Sequence, residues 1–137
     1  MKYVIVDVDR IEEQRLVESG TKIRPNFTVD ELACKDGSSV ILYSSITLDW
    51  LQAIRDKIGP IHLTSAFRTP EYNSRINGAN DSMHMYGRAV DITKPSNMTI
   101  EQFYNVIEEI VGKVCGIGKY KTFIHLDSRG HEARWNG

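Results

Sequence analysis

Ser82-Met83-His84-Met85-Tyr86-Gly87-Arg88-Ala89-Val90-Asp91 sets a histidine ahead of an aspartate, with a glycine between them. Gly87 can reverse the chain there, because without a Cβ it tolerates left-handed backbone. Residues 88–92 then read as a short strand, which gives the Asp91 side chain a fixed direction. A second stretch, Phe123-Ile124-His125-Leu126-Asp127, also reads as a strand. Its alternation puts Phe123, His125 and Asp127 on one face and Ile124 and Leu126 on the other. Imidazole nitrogen and carboxylate oxygen are both good zinc ligands. Two histidines with one carboxylate leave a fourth position for water, the catalytic rather than the structural pattern. Spacing alone leaves two readings of His84, Asp91 and His125: hydrogen-bonded His–Asp pairing, or a mononuclear metal site.

Outward from this centre the chain alternates short helices and strands. Residues 3–8 are rich in β-branched side chains and predict a strand. Residues 9–26 are polar and mixed, so 1–26 is expected to be an N-terminal extension that packs on a domain at 27–137 or serves as an arm. Thr28 with Glu31, and Phe27 ahead of Leu32, are a helix-start signature for a short helix. A longer helix is expected over about 47–58, capped by Thr47, with Leu48, Leu51, Ile54 and Ile58 as its apolar stripe and Trp50 in the core. Ile61 to Arg68 alternates as a strand, and Thr69-Pro70-Glu71 opens another helix with proline at its first position. Residues 77–81 read as loop. Thr99 with Gln102 caps a helix over about 100–112, and Val114–Ile117 and Thr122–Leu126 read as strands. The tail is polar apart from Trp135, which either covers the cleft or anchors the tail. Tight strand connections outnumber βαβ units, so the expected class is α+β with a small, mostly antiparallel sheet and flanking helices.

The bulk numbers imply no highly charged partner. The chain has 137 residues, one domain's worth, and a formal net charge of −1. No basic excess suits a nucleic-acid backbone, and no apolar run approaches membrane-spanning length. Cys34 and Cys115 lie far apart without metal-site spacing and read as two small buried thiols, with a disulfide between them left open. Asp7 and Asp9 interrupt the first apolar run, so the start does not read as a secretory signal and implies synthesis in the cytoplasm.

Ser82-x-His84-x-x-Gly87-x-Ala89-x-Asp91 resembles the S-x-H-x-x-G-x-A-x-D motif of the zinc D-alanyl-D-alanine carboxypeptidases. Their relatives include vancomycin-resistance dipeptidases, phage L-alanyl-D-glutamate endolysins and the Hedgehog signalling domain. Ser65-Ala66-Phe67-Arg68-Thr69-Pro70 resembles the family's S-G-[YF]-R-[ST]-x segment, and Phe123 to Arg129 resembles a subgroup ending in F-[IV]-H-[LV]-D-x-R. The resemblance runs from about Phe27 to Trp135 and implies a Hedgehog/DD-peptidase-like fold.

By that resemblance His84, Asp91 and His125 are the ligands of a Zn2+ ion. Arg68 faces the substrate carbonyl or carboxylate, and Ser82 lies near the substrate. The implied activity is hydrolysis of peptide bonds in peptidoglycan stem peptides, as carboxypeptidase or endopeptidase. The implied setting is a phage or prophage lysis protein or a virion component. One departure matters. Many members carry a glutamate three residues before the last histidine, as the base that takes a proton from water, and here that residue is Thr122. Asp127 is the carboxylate best placed to replace it, either by activating the water or by orienting His125. Asp81 and His131 are weaker candidates, and His62 reads as a strand-face polar residue. The competing expectation is a zinc-stabilised binding or structural module without peptidase activity.

Overall fold

A computed structural model describes residues 1–11 and 13–137. The class is α+β, as expected. Strand β1 (Lys2–Asp7) is followed by β2 (Gln14–Glu18), β3 (Lys22–Arg24) and β4 (Phe27–Thr28), then by the one-turn helix α1 (Val29–Leu32). Next come β5 (Val40–Tyr43), α2 (Ser45–Ile58), β6 (Leu63–Ser65), α3 (Pro70–Arg75) and a 3-10 turn at Met83–Tyr86. The chain continues with β7 (Ala89–Thr93), α4 (Ile100–Val111), β8 (Gly116–Lys119), β9 (Phe123–Asp127) and β10 (Ala133–Asn136).

The main sheet has five strands in the order β10-β8-β9-β7-β6, antiparallel except for the β10–β8 pair. Its strands use their alternation fully. Val90, Ile92, Ile117, Ile124 and Leu126 are buried on the side that joins the helical stripes Leu48-Leu51-Ile54 of α2 and Phe103-Ile107 of α4. Each such side chain contributes roughly 1.5–3 kcal/mol by leaving water. The opposite face carries Asp91, His125 and Asp127. Helix α4 starts on the anticipated capping box, in which Thr99 Oγ1 accepts the Gln102 N–H and the Gln102 side chain accepts the Thr99 N–H.

The N-terminal segment packs on this body. β1 lies parallel to β5 and antiparallel to β2, and Tyr3, Ile5 and Ile23 are part of the common core. Two carboxylates, one ending β1 and one just beyond it, serve the start of α2. Asp7 Oδ1 accepts the Ser45 N–H at 3.2 Å and Asp9 Oδ2 accepts the Ile46 N–H at 3.1 Å. Unpaired N–H groups and the helix dipole favour negative charge there. Asp9 also takes Arg88 Nη1 at 2.8 Å, which ties the segment to the chain beside β7. Burial raises the Asp9 carboxyl pKa, but its bonds from Ser44, Ile46 and Arg88 outweigh that and leave it below its ordinary value.

Several boundaries differ from the sequence expectations. The α2 cap is Ser44, whose hydroxyl accepts the Thr47 N–H, so the helix begins earlier than Thr47. The Ile61–Arg68 strand contracts to β6, because Phe67 N–H turns to the Leu32 carbonyl and Arg68 N–H to the His84 carbonyl. Val114 is exposed and precedes its strand, and Trp50 is only partly buried, against the core rather than inside it. The polar tail forms β10. Cys34 and Cys115 are both buried and free. Among the described residues no helix is long and apolar enough to cross a membrane.

Candidate metal centre

The 3-10 turn that carries His84 is capped by Ser82, whose Oγ accepts the His84 N–H at 3.2 Å. It ends at Gly87, with φ +73°. A Cβ at Gly87 would also stand 2.5 Å from the Leu42 carbonyl carbon, so glycine is required there for conformation and for space. The reversal delivers the chain into β7, where Asp91 sits directly opposite His125 of β9. Directly opposed residues of antiparallel strands project from the same face. Asp91 and His125 therefore meet by register, and His84 arrives from the turn.

The three side chains converge. One donor atom from each of His84, Asp91 and His125 lies within 4.8 Å of the others, and all three residues are buried. Hydrogen bonding fixes which ring nitrogens face inward. His84 Nδ1 is 2.6 Å from the Ala66 carbonyl, which can only accept, so Nδ1 carries the proton and Nε2 a lone pair. His125 Nε2 is 2.7 Å from Asp127 Oδ2 and donates to it, leaving a lone pair on Nδ1. Both lone pairs face the same oxygen, Asp91 Oδ1, each at 3.1 Å. Neutral rings would thus set three acceptors against one another, an arrangement that a cation between them, or a proton on one ring, makes favourable. This donor set suits zinc in chemistry and in number, with room for a further ligand.

Protonation of His125 relieves the same conflict. Burial pulls the His125 pKa down, but hydrogen bonds to Asp127 and Asp91 outweigh it and hold the pKa above the ordinary histidine value. Burial would raise Asp91, yet bonds from His125 and His84 keep it far below the usual carboxylate range. Asp127 behaves alike: burial raises it, and Arg129 and His125 bring it well down.

Asp127 is fully buried. Its Oδ1 accepts Arg129 Nε at 2.8 Å and its Oδ2 accepts Arg129 Nη2 at 2.7 Å, besides the bond from His125. Two glycines of β8 provide space above the sheet. A Cβ at Gly116 would stand 2.5 Å from both Arg129 Nε and Asp127 Oδ1, and one at Gly118 would stand 2.5 Å from the Trp135 ring. Trp135 leans on the His125 ring, with centroids 5.2 Å apart.

The centre lies in a cleft of about 420 Å³, whose lining includes Arg68, Asp81, Ser82, Tyr120, Arg129 and Trp135. Arg68 is held by Ser65 Oγ at 3.1 Å and Asn73 Oδ1 at 3.2 Å, with Nη2 3.6 Å from Asp91 Oδ2. Arg68 and Ser82 thus stand beside the centre, whereas His62 and His131 are exposed and outside the lining. The family model described as Peptidase M15 matches residues 25–127.

The chain belongs to the peptidase M15 family. In addition, a segment of 49 residues is 43% identical to the zinc D-Ala-D-Ala carboxypeptidase of Streptomyces albus G. That segment is 34% of this chain and 19% of the relative, so the match spans about a fifth of the curated protein's length. For an M15 chain, sequence reasoning did not single out Arg129 and Tyr120, which line the cleft, or Asn73, which holds Arg68 from outside its lining. Arg129 had a signal, its place two residues after Asp127. Tyr120 and Asn73 reach the site through loop and helix geometry that spacing does not reveal.

Proposed function

We propose that this chain is a zinc peptidase that hydrolyses peptide bonds in peptidoglycan stem peptides. The observation that carries the reading is the convergence of His84 Nε2, His125 Nδ1 and Asp91 Oδ1 in an open cleft. The family and the carboxypeptidase relative support the reaction and the substrate class. A bound Zn2+ ion supplies Lewis acidity toward the scissile carbonyl and toward water.

The chain's own residues do the rest. Ala66 and Asp127 fix the ring tautomers, which leaves the inward nitrogens free for the metal. Arg68 presents a guanidinium, already oriented by Ser65 and Asn73, to the oxygen on which negative charge develops. Asp127 acts as a positioning residue for His125. Its complete burial and its two engaged oxygens favour that role over direct handling of water. Among the candidates for proton acceptor, Asp81 lines the cleft and is exposed, with Oδ1 accepting the Tyr86 hydroxyl, so we assign the proton to Asp81. Ser82 caps the His84 turn and borders the substrate. A phage or prophage lysis role, or one in a virion, extends the proposal on the resemblance to phage endolysins.

A second reading, a zinc-holding module without hydrolysis, is favoured by Thr122 at the usual base position. The test is mass spectrometry of purified peptidoglycan and defined stem peptides treated with zinc-loaded protein and with His84→Ala. Cleavage abolished by His84→Ala is expected, and the product masses name the bond. Zinc-loaded protein that cleaves no stem peptide leaves the second reading standing.

A further inference from the structure

Arg129 brings a second guanidinium to the cleft, on the side of the ligand pair away from Arg68. The sheet order places them so. Arg68 follows β6, beyond β7, whereas Arg129 follows β9 and lies over Gly116 of β8. Arginine offers five N–H donors in a planar fork. Asp127 occupies Nε and Nη2, and Nη1 has no hydrogen-bond partner among the described residues. The side chain is 22% exposed, lines the cleft, and lies 5.0 Å from the Trp135 ring. The pairing through Nε and Nη2 leaves the Nη1 donors of this cleft-lining side chain available to a ligand. The Asp127 fork and the Trp135 face hold the guanidinium plane, so a ligand does not have to order it.

Resting on the peptidase reading, we propose that Arg129 is a specificity-determining residue that binds a free carboxylate of the substrate through its uncommitted Nη1. Trp135 supplies the apolar wall beside that carboxylate. The preferred substrate is then acidic next to the scissile bond on the β8 side, and its carboxamide is a poor substitute. The carboxylate has two chemical sources in a stem peptide, the C-terminus and an acidic residue within the stem.

Three versions of one stem peptide separate these sources: the free acid, the C-terminal amide, and the amide of the internal acidic residue. Two readouts are taken with the full chain: kcat/KM of zinc-loaded protein, and dissociation constants for the metal-free protein by NMR titration. One amide should lose about tenfold or more in both readouts, as expected for a charge-assisted hydrogen bond. Which amide loses names the source. The preference should collapse toward unity in Arg129→Gln, and should fall in Arg129→Lys, whose ammonium lacks the fork. A uniform loss on all three peptides with the ratio intact would mean that Arg129 only supports Asp127, and would overturn the proposal. Equal handling of all three by the wild-type protein would overturn it without any variant. Should Arg129→Gln not fold, an unchanged preference in Arg129→Lys overturns it as well. Absence of both cleavage and binding removes the peptidase reading together with this one, whereas cleavage without discrimination removes this one alone.

Discussion

Asp127→Asn separates the two roles that a carboxylate can play behind the His125 imidazole. The substitution keeps shape and volume, and an amide oxygen can still accept the His125 Nε2 proton. It removes the charge that makes that bond strong and turns one acceptor into a donor facing Arg129, which now donates at 2.8 Å and 2.7 Å. Weakening a hydrogen bond to a charged group costs about 1.5–3 kcal/mol. At roughly 1.4 kcal/mol per decade this is about a ten- to hundredfold loss of zinc affinity, the range found for lost partners of ligating histidines. The assay is zinc competition against a chromophoric chelator, followed by stem-peptide hydrolysis with zinc held far above the new dissociation constant. If Asp127 positions His125, the affinity falls in that range and saturating zinc restores most of kcat. An unchanged zinc affinity together with a kcat about a thousandfold down at saturation would refute the reasoning, and would make Asp127 the group that handles the proton.

Zinc affinity should depend on pH in a stated direction. His125 is raised above about pH 6.5, so below its folded value zinc must displace a proton, and apparent affinity should fall by about tenfold per pH unit; a chelator titration that is flat from about pH 5.5 to pH 7.5 would contradict this. The stability of the metal-free protein has opposite contributions from the same cluster. The His125 share is present below about pH 6.5 and is lost as pH rises through the raised value, whereas the Asp91 and Asp127 shares are present above about pH 4 and are lost on acidification. Gly87→Ala should cost about 2–4 kcal/mol in urea unfolding, combining positive φ with a clash against the Leu42 backbone, and a loss under about 0.5 kcal/mol would show that the turn relaxes freely. Arg68→Met should lower kcat/KM by about 10²–10³-fold while zinc stays stoichiometric, as expected for a lost oxyanion donor.

The centre was more legible than its frame. His84, Asp91 and His125 are readable because their elements are short and regular: a glycine-closed turn and two strands with clean alternation. The helices announced themselves through caps, as at Thr99 and Gln102. Residues 9–26 hid β2 because an edge strand needs no buried face and β2 is almost wholly exposed, and hid β3 because three residues show no decisive period. Strand β5 went unread because Val40–Tyr43 is too short for a decisive period, and its identity depends on β1, far away in sequence. The tail hid β10 for a similar reason, since Arg134 and Trp135 are held by Glu108 and Tyr120 rather than by local pattern. The placing of Asp127 and Arg129 depends on Gly116 beneath them, a relation that no spacing rule contains.

The opposition of Asp91 and His125 across β7 and β9 also bears on how the sheet finds its alignment. A slip by one residue would turn His125 toward the helices and bring an isoleucine or leucine into the cleft. A slip by two would set Asp91 against Phe123 or Asp127 and part the cluster of His84, Asp91 and His125. An ion bound by all three would therefore be held fully in one alignment alone. Binding to that state alone would add its free energy to the native strand pairing and to no slipped one.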